Sequence, residues 1–215
     1  MPVFQNQGFT TYYEEAGTGD ALVLICGISS DLTIWGPLLP ELSKTYRVVV
    51  YDNRGAGRSS APDEPYRIAQ MADDLRALLD HLKIDSCHLL GWSMGGLIAR
   101  AFARAHPERV KHLVLLGSML KADGMLRNFI LNWKNVRLSN MPPEQVVRFV
   151  MRFIFSRELA DNVAMYDRVA TSMANNPYRQ SVQGFVRQAD ALLNAVEEGP
   201  SPTGVLPMPV TVMVG

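Results

Sequence analysis

Ser93 is the residue of this sequence best placed to do chemistry, because of the residues on either side of it. Gly91 and Gly95 stand two positions before and two positions after it, in the stretch Gly-Trp-Ser-Met-Gly. An apolar run, 87–90, precedes this stretch, and a helix-forming run, 97–105, follows it. The pattern predicts a strand, a tight turn and a helix, with the serine at the apex of a turn that needs flanking glycines. A serine hydroxyl exposed at such an apex is suited to nucleophilic attack on a carbonyl carbon.

This stretch resembles the nucleophile elbow of the α/β-hydrolase family. A second stretch, 52–59 (Asp-Asn-Arg-Gly-Ala-Gly-Arg-Ser), resembles the D-x-R-G-x-G-x-S loop of the same family. In relatives the Asp and Arg of that loop are mainly structural. We therefore assign no catalytic role to Asp52 or Arg54.

The resemblance also implies a site for the oxyanion that forms when the serine attacks. Two backbone N–H groups would hold it, that of Met94, just after the nucleophile, and that of Ile28 in the loop after a preceding strand. Relatives usually carry His-Gly in this loop, whereas this sequence has Cys26-Gly27. The donors are backbone groups, so the exchange need not abolish the oxyanion site. It does remove the hydrogen bonds with which the histidine braces the loop.

The sequence has four histidines that could act as the base for Ser93, and we expect none of them to reach it. His88 lies five residues upstream on the same predicted strand, about 16 Å away. His106 lies at the far end of the helix that follows Ser93, about 20 Å away. His112 opens the next strand at the opposite edge of the sheet. His81 ends a helix that runs away from the edge where Ser93 lies.

The order along the chain in the family is serine, acid, histidine. The acid usually follows the strand predicted at 210–214, and the histidine comes one strand later, so the resemblance places both beyond residue 215. Some relatives carry the acid after the sixth strand, where this sequence has Gly117-Ser118, and Asp123 is a weak substitute there. We expect the sequence to cover about the first four-fifths of such a hydrolase, truncated at its C-terminus, and to be nearly inactive alone.

The elements that must position these residues alternate between strand and helix. Strands are predicted at 8–15, 21–26, 46–51 and 110–116, besides the one that ends at the elbow, and helices at 33–43 and 68–82. The expected fold class is α/β, a mostly parallel sheet with helices on both faces and an inserted helical cap, with the last strand and helix missing. The predicted domains are a core, 1–118, a cap, 119–204, and a return strand of the core, 205–215.

The predicted cap contains no strand-like run. Its helices are predicted at 121–135, 143–155, 157–173 and 178–197. Packing between helices explains most of its large apolar residues, and some of them are candidates to line a substrate cavity. These residues are Met125, Phe129, Phe149, Phe153, Met165, Met173 and Phe185.

The overall composition excludes several classes of protein. The 21 basic and 21 acidic residues balance, so nothing indicates binding to nucleic acid or to an anionic membrane. No apolar run approaches a membrane span, and the N-terminus lacks the pattern of a signal peptide. We expect Cys26 and Cys87 to be buried free thiols on adjacent strands of a cytoplasmic protein. We expect no cofactor and no metal.

The function predicted from these features is a serine hydrolase that forms an acyl-enzyme on Ser93 with a small ester or lactone. The sequence is similar to the capped branch that includes enol-lactonases and small carboxylesterases, while cofactor-free haloperoxidases, C–C bond hydrolases and proline iminopeptidases remain open. A serine nucleophile argues against the relatives that use aspartate, the epoxide hydrolases and haloalkane dehalogenases. The alternative from another class is a ligand-binding or regulatory protein on a hydrolase scaffold without efficient turnover. The oligomeric state stays open.

Overall fold

A computed structural model describes residues 2–6, 8–119, 124–197 and 205–214. Its strands are β1 (Val3–Asn6), β2 (Phe9–Ala16), β3 (Asp20–Ile25), β4 (Tyr46–Tyr51), β5 (Cys87–Trp92), β6 (Val110–Leu116) and β7 (Val210–Met213). Its helices are α1 (Leu39–Leu42), α2 (Ile68–His81), α3 (Met94–Ala105), α4 (Gly124–Leu138), α5 (Pro143–Ile154), α6 (Arg157–Asp161), α7 (Val163–Ala174) and α8 (Val182–Glu197). Two short 3₁₀ turns are formed by Leu32–Trp35 and Pro107–Arg109.

The strands form one mostly parallel sheet in the order β1-β2-β4-β3-β5-β6-β7. The strands β3 to β7 run parallel, whereas β1 and β2 are antiparallel to their neighbours. The central strands are buried on both faces over most of their length, which explains the continuous apolar runs 21–25 of β3 and 48–51 of β4. The carboxyl ends of the parallel strands meet at one edge of the sheet, and the turn at Ser93 lies there.

Alternate residues of the strands divide the core into two layers. Val23 and Ile25 face the layer that contains α2 and α3. Leu22 and Leu24 face the opposite layer, with Leu32–Trp35 and the apolar side chains of α1. The predicted class, a mostly parallel sheet covered by helices on both faces, is therefore confirmed.

Two predicted helices differ from those observed, and one observed strand was not predicted. The helix expected at 33–43 is the 3₁₀ turn Leu32–Trp35 followed by the single turn α1, because Pro37 and Pro40 cannot donate the hydrogen bonds of a continuous helix. The helix expected at 157–173 is interrupted at Asn162, whose side chain accepts a hydrogen bond from the N–H of Met165 and so begins α7. The edge strand β1 was not predicted, since its structure depends on pairing with β2.

The two cysteines are buried and free, as expected. They belong to neighbouring strands, but they lie at opposite ends of those strands. Cys26 follows β3, whereas Cys87 begins β5, and the register of the two strands pairs Leu22 with His88 and Ile25 with Gly91. Five positions of a strand, about 16 Å, therefore separate their levels in the sheet.

All the regular secondary structure of the segment 124–197 is helical. Helix α4 packs against α8, and α5 packs against α7. Phe185, Ala189 and Leu192 of α8 belong to the same buried cluster as the core side chains of α2 and α3. Strand β7 pairs with β6, and all four of its residues are exposed. Among the described residues, no helix is both long enough and apolar enough to cross a membrane.

Candidate active site

The turn at Ser93 has an unusual and firmly held backbone. Ser93 has a φ of 53° and a ψ of −120°, outside the regions that non-glycine residues normally adopt. Its N–H donates to the carbonyl of Leu116 at 3.0 Å. Its carbonyl accepts from the N–H of Gly96 at 2.9 Å and from the Oγ of Ser118 at 2.8 Å. These bonds hold a strained residue between β5 and α3, and strain of this kind concentrates at functional sites.

The glycines around Ser93 are required by close packing rather than by a positive φ. A Cβ on Gly91 would overlap the carbonyl oxygen of Gly95, and a Cβ on Gly95 would overlap the carbonyl oxygen of Ile25. A Cβ on Gly96 would meet the side chain of Ser118. The strand, the turn and the helix therefore approach one another as closely as their backbones allow.

The loop after β3 lies directly against the serine. A Cβ on Gly27 would be 3.2 Å from the Cβ of Ser93. The next residue, Ile28, is buried. In the described part of the chain, the backbone N–H of Ile28 and that of Met94 donate to no other protein group. Met94 opens α3, so its N–H also lies at the positive end of the helix dipole.

Cys26, which stands where relatives carry a histidine, has hydrogen-bonding partners of its own. The indole N–H of Trp35 donates to its Sγ at 3.1 Å, and the amide of Asn53 donates to its carbonyl at 2.9 Å. Burial raises the pKa of the Cys26 thiol far above its usual value, with the nearby Asp52 adding to the effect. The thiol is therefore neutral and part of the core.

The loop 52–59 is held by its own polar side chains. Asp52 is fully buried, and its carboxylate accepts from the backbone N–H groups of Leu32 at 2.7 Å and Arg58 at 2.8 Å. Burial raises the pKa of the Asp52 carboxyl, and these two backbone hydrogen bonds oppose the rise. Arg54 forms a two-bond ion pair with Asp74, at 2.6 and 2.7 Å. Both side chains are engaged in the structure of the loop.

The four histidines all lie away from Ser93. The Nε2 of His88 is 3.8 Å from a carboxylate oxygen of Asp20, the first residue of β3, and the register places His112 beside His88. The ring of His81 stacks on that of Phe4, with 4.5 Å between the ring centroids, and the ring of His106 lies 5.2 Å from that of Phe102. The Nε2 of His112 is 2.8 Å from the Oγ1 of Thr211. Each is engaged at the opposite edge of the sheet or on a helix end distant from the turn.

The two positions considered for the acid have different outcomes. Ser118 follows β6 and bonds the carbonyl of Ser93, so the position that holds an acid in some relatives holds a structural hydroxyl here. Asp123 lies outside the described residues. Among the described residues, no group of His, Cys, Asp and Glu side chains is arranged to hold a metal ion.

The large apolar side chains of the helical segment divide into two groups. Phe129 and Phe149 each contact the ring of Phe153, and Phe185 is fully buried. Met125 is exposed, and Met165 and Met173 line an open groove of about 390 Å³ on α7. The described contacts place none of the seven against Ser93.

The sequence did not identify Gln188, a fully buried side chain of α8. Its Nε2 donates to the carbonyl of Arg54 at 2.9 Å, and its Oε1 accepts from the N–H of Ser29 at 3.5 Å. The available signal was a polar residue on the apolar face of a helix, between Phe185 and Leu192. A buried amide of this kind requires hydrogen-bonding partners, which here are two loops of the site.

Residues 20–196 match the family model described as alpha/beta hydrolase fold. The chain therefore belongs to the α/β-hydrolase fold family.

Individual relatives differ in the chemistry that their names describe. A protein of Azorhizobium caulinodans named for a carbamate hydrolase, RutD, is 32% identical over 174 residues, which cover 80% of this chain and 65% of the relative. The 3-oxoadipate enol-lactonase 2 of Acinetobacter baylyi is 36% identical over 129 residues, 56% of this chain and 48% of the relative. The chain thus spans less than two thirds of the length of these relatives.

A solved structure extends the likeness over the whole chain. The enol-lactonase of Burkholderia xenovorans superimposes with a TM-score of 0.82 at 25% identity, covering 100% of this chain and 81% of the enol-lactonase.

Proposed function

We propose that this protein is a serine hydrolase that cleaves a small ester or lactone through an acyl-enzyme on Ser93. The observation that carries the proposal is the strained turn between β5 and α3, with its φ of 53° and the N–H groups of Ile28 and Met94 nearby. A serine held in this way meets a substrate carbonyl carbon while two donors face the oxygen that gains negative charge. The names of the enol-lactonase relatives support the substrate class.

The chemical steps assign one role to each group. The Oγ of Ser93 attacks the carbonyl carbon, a base takes its proton, and the N–H groups of Ile28 and Met94 stabilise the oxyanion. Collapse of the intermediate expels the alcohol, which takes up the proton, and leaves an ester on Ser93 that water then hydrolyses. A carbamate ester, of the class in the name of the RutD relative, would lose its alcohol in the same way and leave a carbamoyl group on Ser93, which water would then hydrolyse.

The base and its acid partner come, on this proposal, from outside residues 1–215. The placement of the four histidines supports this, since each is engaged away from Ser93. Residues 1–215 alone would supply the nucleophile and the oxyanion donors but no base. Their turnover is expected to be close to the residual level that serine hydrolases keep without a triad.

The segment 119–204 is, in this proposal, a cap over the serine. Three contacts support it. The amide of Asn176 donates to the carboxylate of Asp31 at 2.6 Å, the ring of Tyr178 lies 4.1 Å from the guanidinium of Arg58, and Gln188 bonds two loops beside Ser93. These contacts connect the helical segment to the carboxyl edge of the sheet.

The test of the proposal is the time course of p-nitrophenyl acetate cleavage by the protein purified from its source. An acyl-enzyme predicts an initial burst of p-nitrophenol close to one equivalent, followed by slower steady turnover. A single slow phase at the rate of the buffer, with intact protein, would contradict the proposal. That outcome would favour the second candidate, a ligand-binding protein without efficient turnover.

Substituting each histidine in turn by glutamine tests the origin of the base. We expect His81→Gln, His88→Gln, His106→Gln and His112→Gln to keep kcat within about threefold of the unaltered protein, because none of these rings lies at the serine. Steady-state hydrolysis of p-nitrophenyl acetate by the four variants is the measurement. A fall of about 100-fold or more in any folded variant would place the base inside this chain.

A further inference from the structure

Gln188 lies on a face of α8 that is closely fitted to the loop 52–59. Gln180, Gly184 and Gln188 follow one another at intervals of four residues, with Gln180 just before the helix begins. The Nε2 of Gln180 donates to the carbonyl of Gly55 at 2.7 Å, and a Cβ on Gly184 would overlap the same carbonyl oxygen. The close approach of Gly184 to Gly55 fixes the position of the helix from which Gln188 extends.

From this position Gln188 bonds two separate loops. Its Nε2 bonds the carbonyl of Arg54, in the loop after β4, and its Oε1 bonds the N–H of Ser29, in the loop after β3. The first bond, at 2.9 Å, is of ordinary length, while the second, at 3.5 Å, is long.

The loop after β3 needs such a brace. Ser29 has a φ of 62°, in the left-handed region, which a non-glycine residue adopts only when its surroundings hold it there. The side chain of Cys26, at the start of this loop, accepts one bond, from the indole of Trp35. Gly27 lies against Ser93, so a small movement of this loop changes the distance between the Ile28 N–H and the serine.

We propose that Gln188 is a positioning residue for the oxyanion site, holding the Ile28 N–H at its working distance from Ser93 through the Ser29 N–H. This inference rests on the proposed function, because it assigns the Ile28 N–H to the oxyanion. Gln188 touches no substrate atom in this arrangement. Its anchor is the carbonyl of Arg54, which is itself fixed by the ion pair with Asp74.

The substitution Gln188→Met removes both hydrogen bonds and keeps the volume of the side chain. Loss of an oxyanion donor lowers kcat by about 100-fold to 1000-fold in a serine protease. A displaced donor should cost less, so we expect kcat to fall by about 10-fold to 100-fold, with KM within about twofold. The affinity for phenylboronic acid, which resembles the tetrahedral intermediate, should fall by a similar factor.

Gln180→Met is the matched control. It removes one buried hydrogen bond to the same loop, 52–59, and among the described residues no hydrogen bond joins the Gln180 side chain to the loop after β3. We expect it to lower stability by about as much as Gln188→Met while leaving kcat within about threefold. Equal losses of kcat in the two variants would show that Gln188 acts only by anchoring the loop 52–59, and would overturn the inference.

Amide hydrogen exchange tests the same bond in the unaltered protein and in both variants. The Ser29 amide is expected to be protected in the unaltered protein and in Gln180→Met, and to exchange at least about tenfold faster in Gln188→Met. A Ser29 amide that exchanges freely in the unaltered protein would overturn the inference even if Gln188→Met did not fold.

The kinetic results test the role of Gln188 and the proposed function separately. A normal kcat in folded Gln188→Met, together with loss of turnover in Ser93→Ala, would overturn the role of Gln188 alone. Turnover that survives in Ser93→Ala would overturn the proposed function and, with it, the role of Gln188.

Discussion

Replacement of Ser93 by alanine is expected to lower kcat for p-nitrophenyl acetate by at least about 1000-fold, in the protein purified from its source. The alanine keeps the backbone of the turn and removes the only atom that forms the acyl bond, so that binding and the oxyanion donors alone remain. The fold should persist, because the bonds that hold the turn come from the backbone of residue 93 and not from its hydroxyl. Stopped-flow and steady-state measurements on matched preparations give both the burst and kcat.

Ser86→Ala is the control for this experiment. Ser86 precedes β5 at the opposite edge of the sheet, seven residues before Ser93, and should be replaceable with no more than about a twofold change in kcat. A Ser93→Ala variant that kept a tenth or more of the original turnover would contradict the assignment of Ser93 as the nucleophile. A loss of kcat in Ser86→Ala as large as the loss in Ser93→Ala would contradict it too.

Replacement of Asp74 by alanine is expected to lower the free energy of unfolding by about 3–5 kcal/mol. The side chains of Arg54 and Asp74 are 6% and 9% exposed, and the two bonds between them are 2.6 and 2.7 Å long. Without Asp74, the buried guanidinium keeps a single carboxylate partner, Glu64, whose side chain is 49% exposed and largely hydrated. Urea unfolding followed by circular dichroism measures the difference.

Asp73→Ala is the matched control, since Asp73 is the neighbouring residue of α2 and is exposed. We expect a change of no more than about 0.5 kcal/mol. Similar losses in the two variants would show that the ion pair contributes little, and that the loop 52–59 is held mainly by Asp52 and by its contacts with α8.

The parts of the fold that could be predicted from the sequence are those set by local patterns. The buried strand β3 is a nearly continuous apolar run, β4 is apolar over 48–51, and α2 shows its apolar residues at helical spacing. Both kinds of element therefore follow from burial of one or two faces. The helix predicted at 33–43 is instead the 3₁₀ turn Leu32–Trp35 and the single turn α1, because Pro37 and Pro40 lack the N–H groups that a continuous helix requires.

The candidate site was predictable only where it is continuous along the chain. The turn around Ser93 is formed by residues that are close together in the sequence. The spacing of Gly91, Ser93 and Gly95 therefore predicts the close packing of its glycines. The role of Gln188 could not be predicted, because its Oε1 accepts a hydrogen bond from the N–H of Ser29, which is 159 residues away in the sequence. Contacts of this range are determined by how α8 packs on the sheet, and no local pattern encodes that packing.

The most direct test of the central claim is to locate the adduct that a fluorophosphonate forms with the unaltered protein. Trypsin releases the peptide 84–100, which contains Ser86 and Ser93, so fragmentation of the peptide must distinguish the two serines. An activated nucleophile predicts one phosphonyl group per chain, on Ser93, with loss of hydrolysis in parallel. An unlabelled Ser93 in folded, active protein, or a label on another residue that accounts for the loss of activity, would contradict the account.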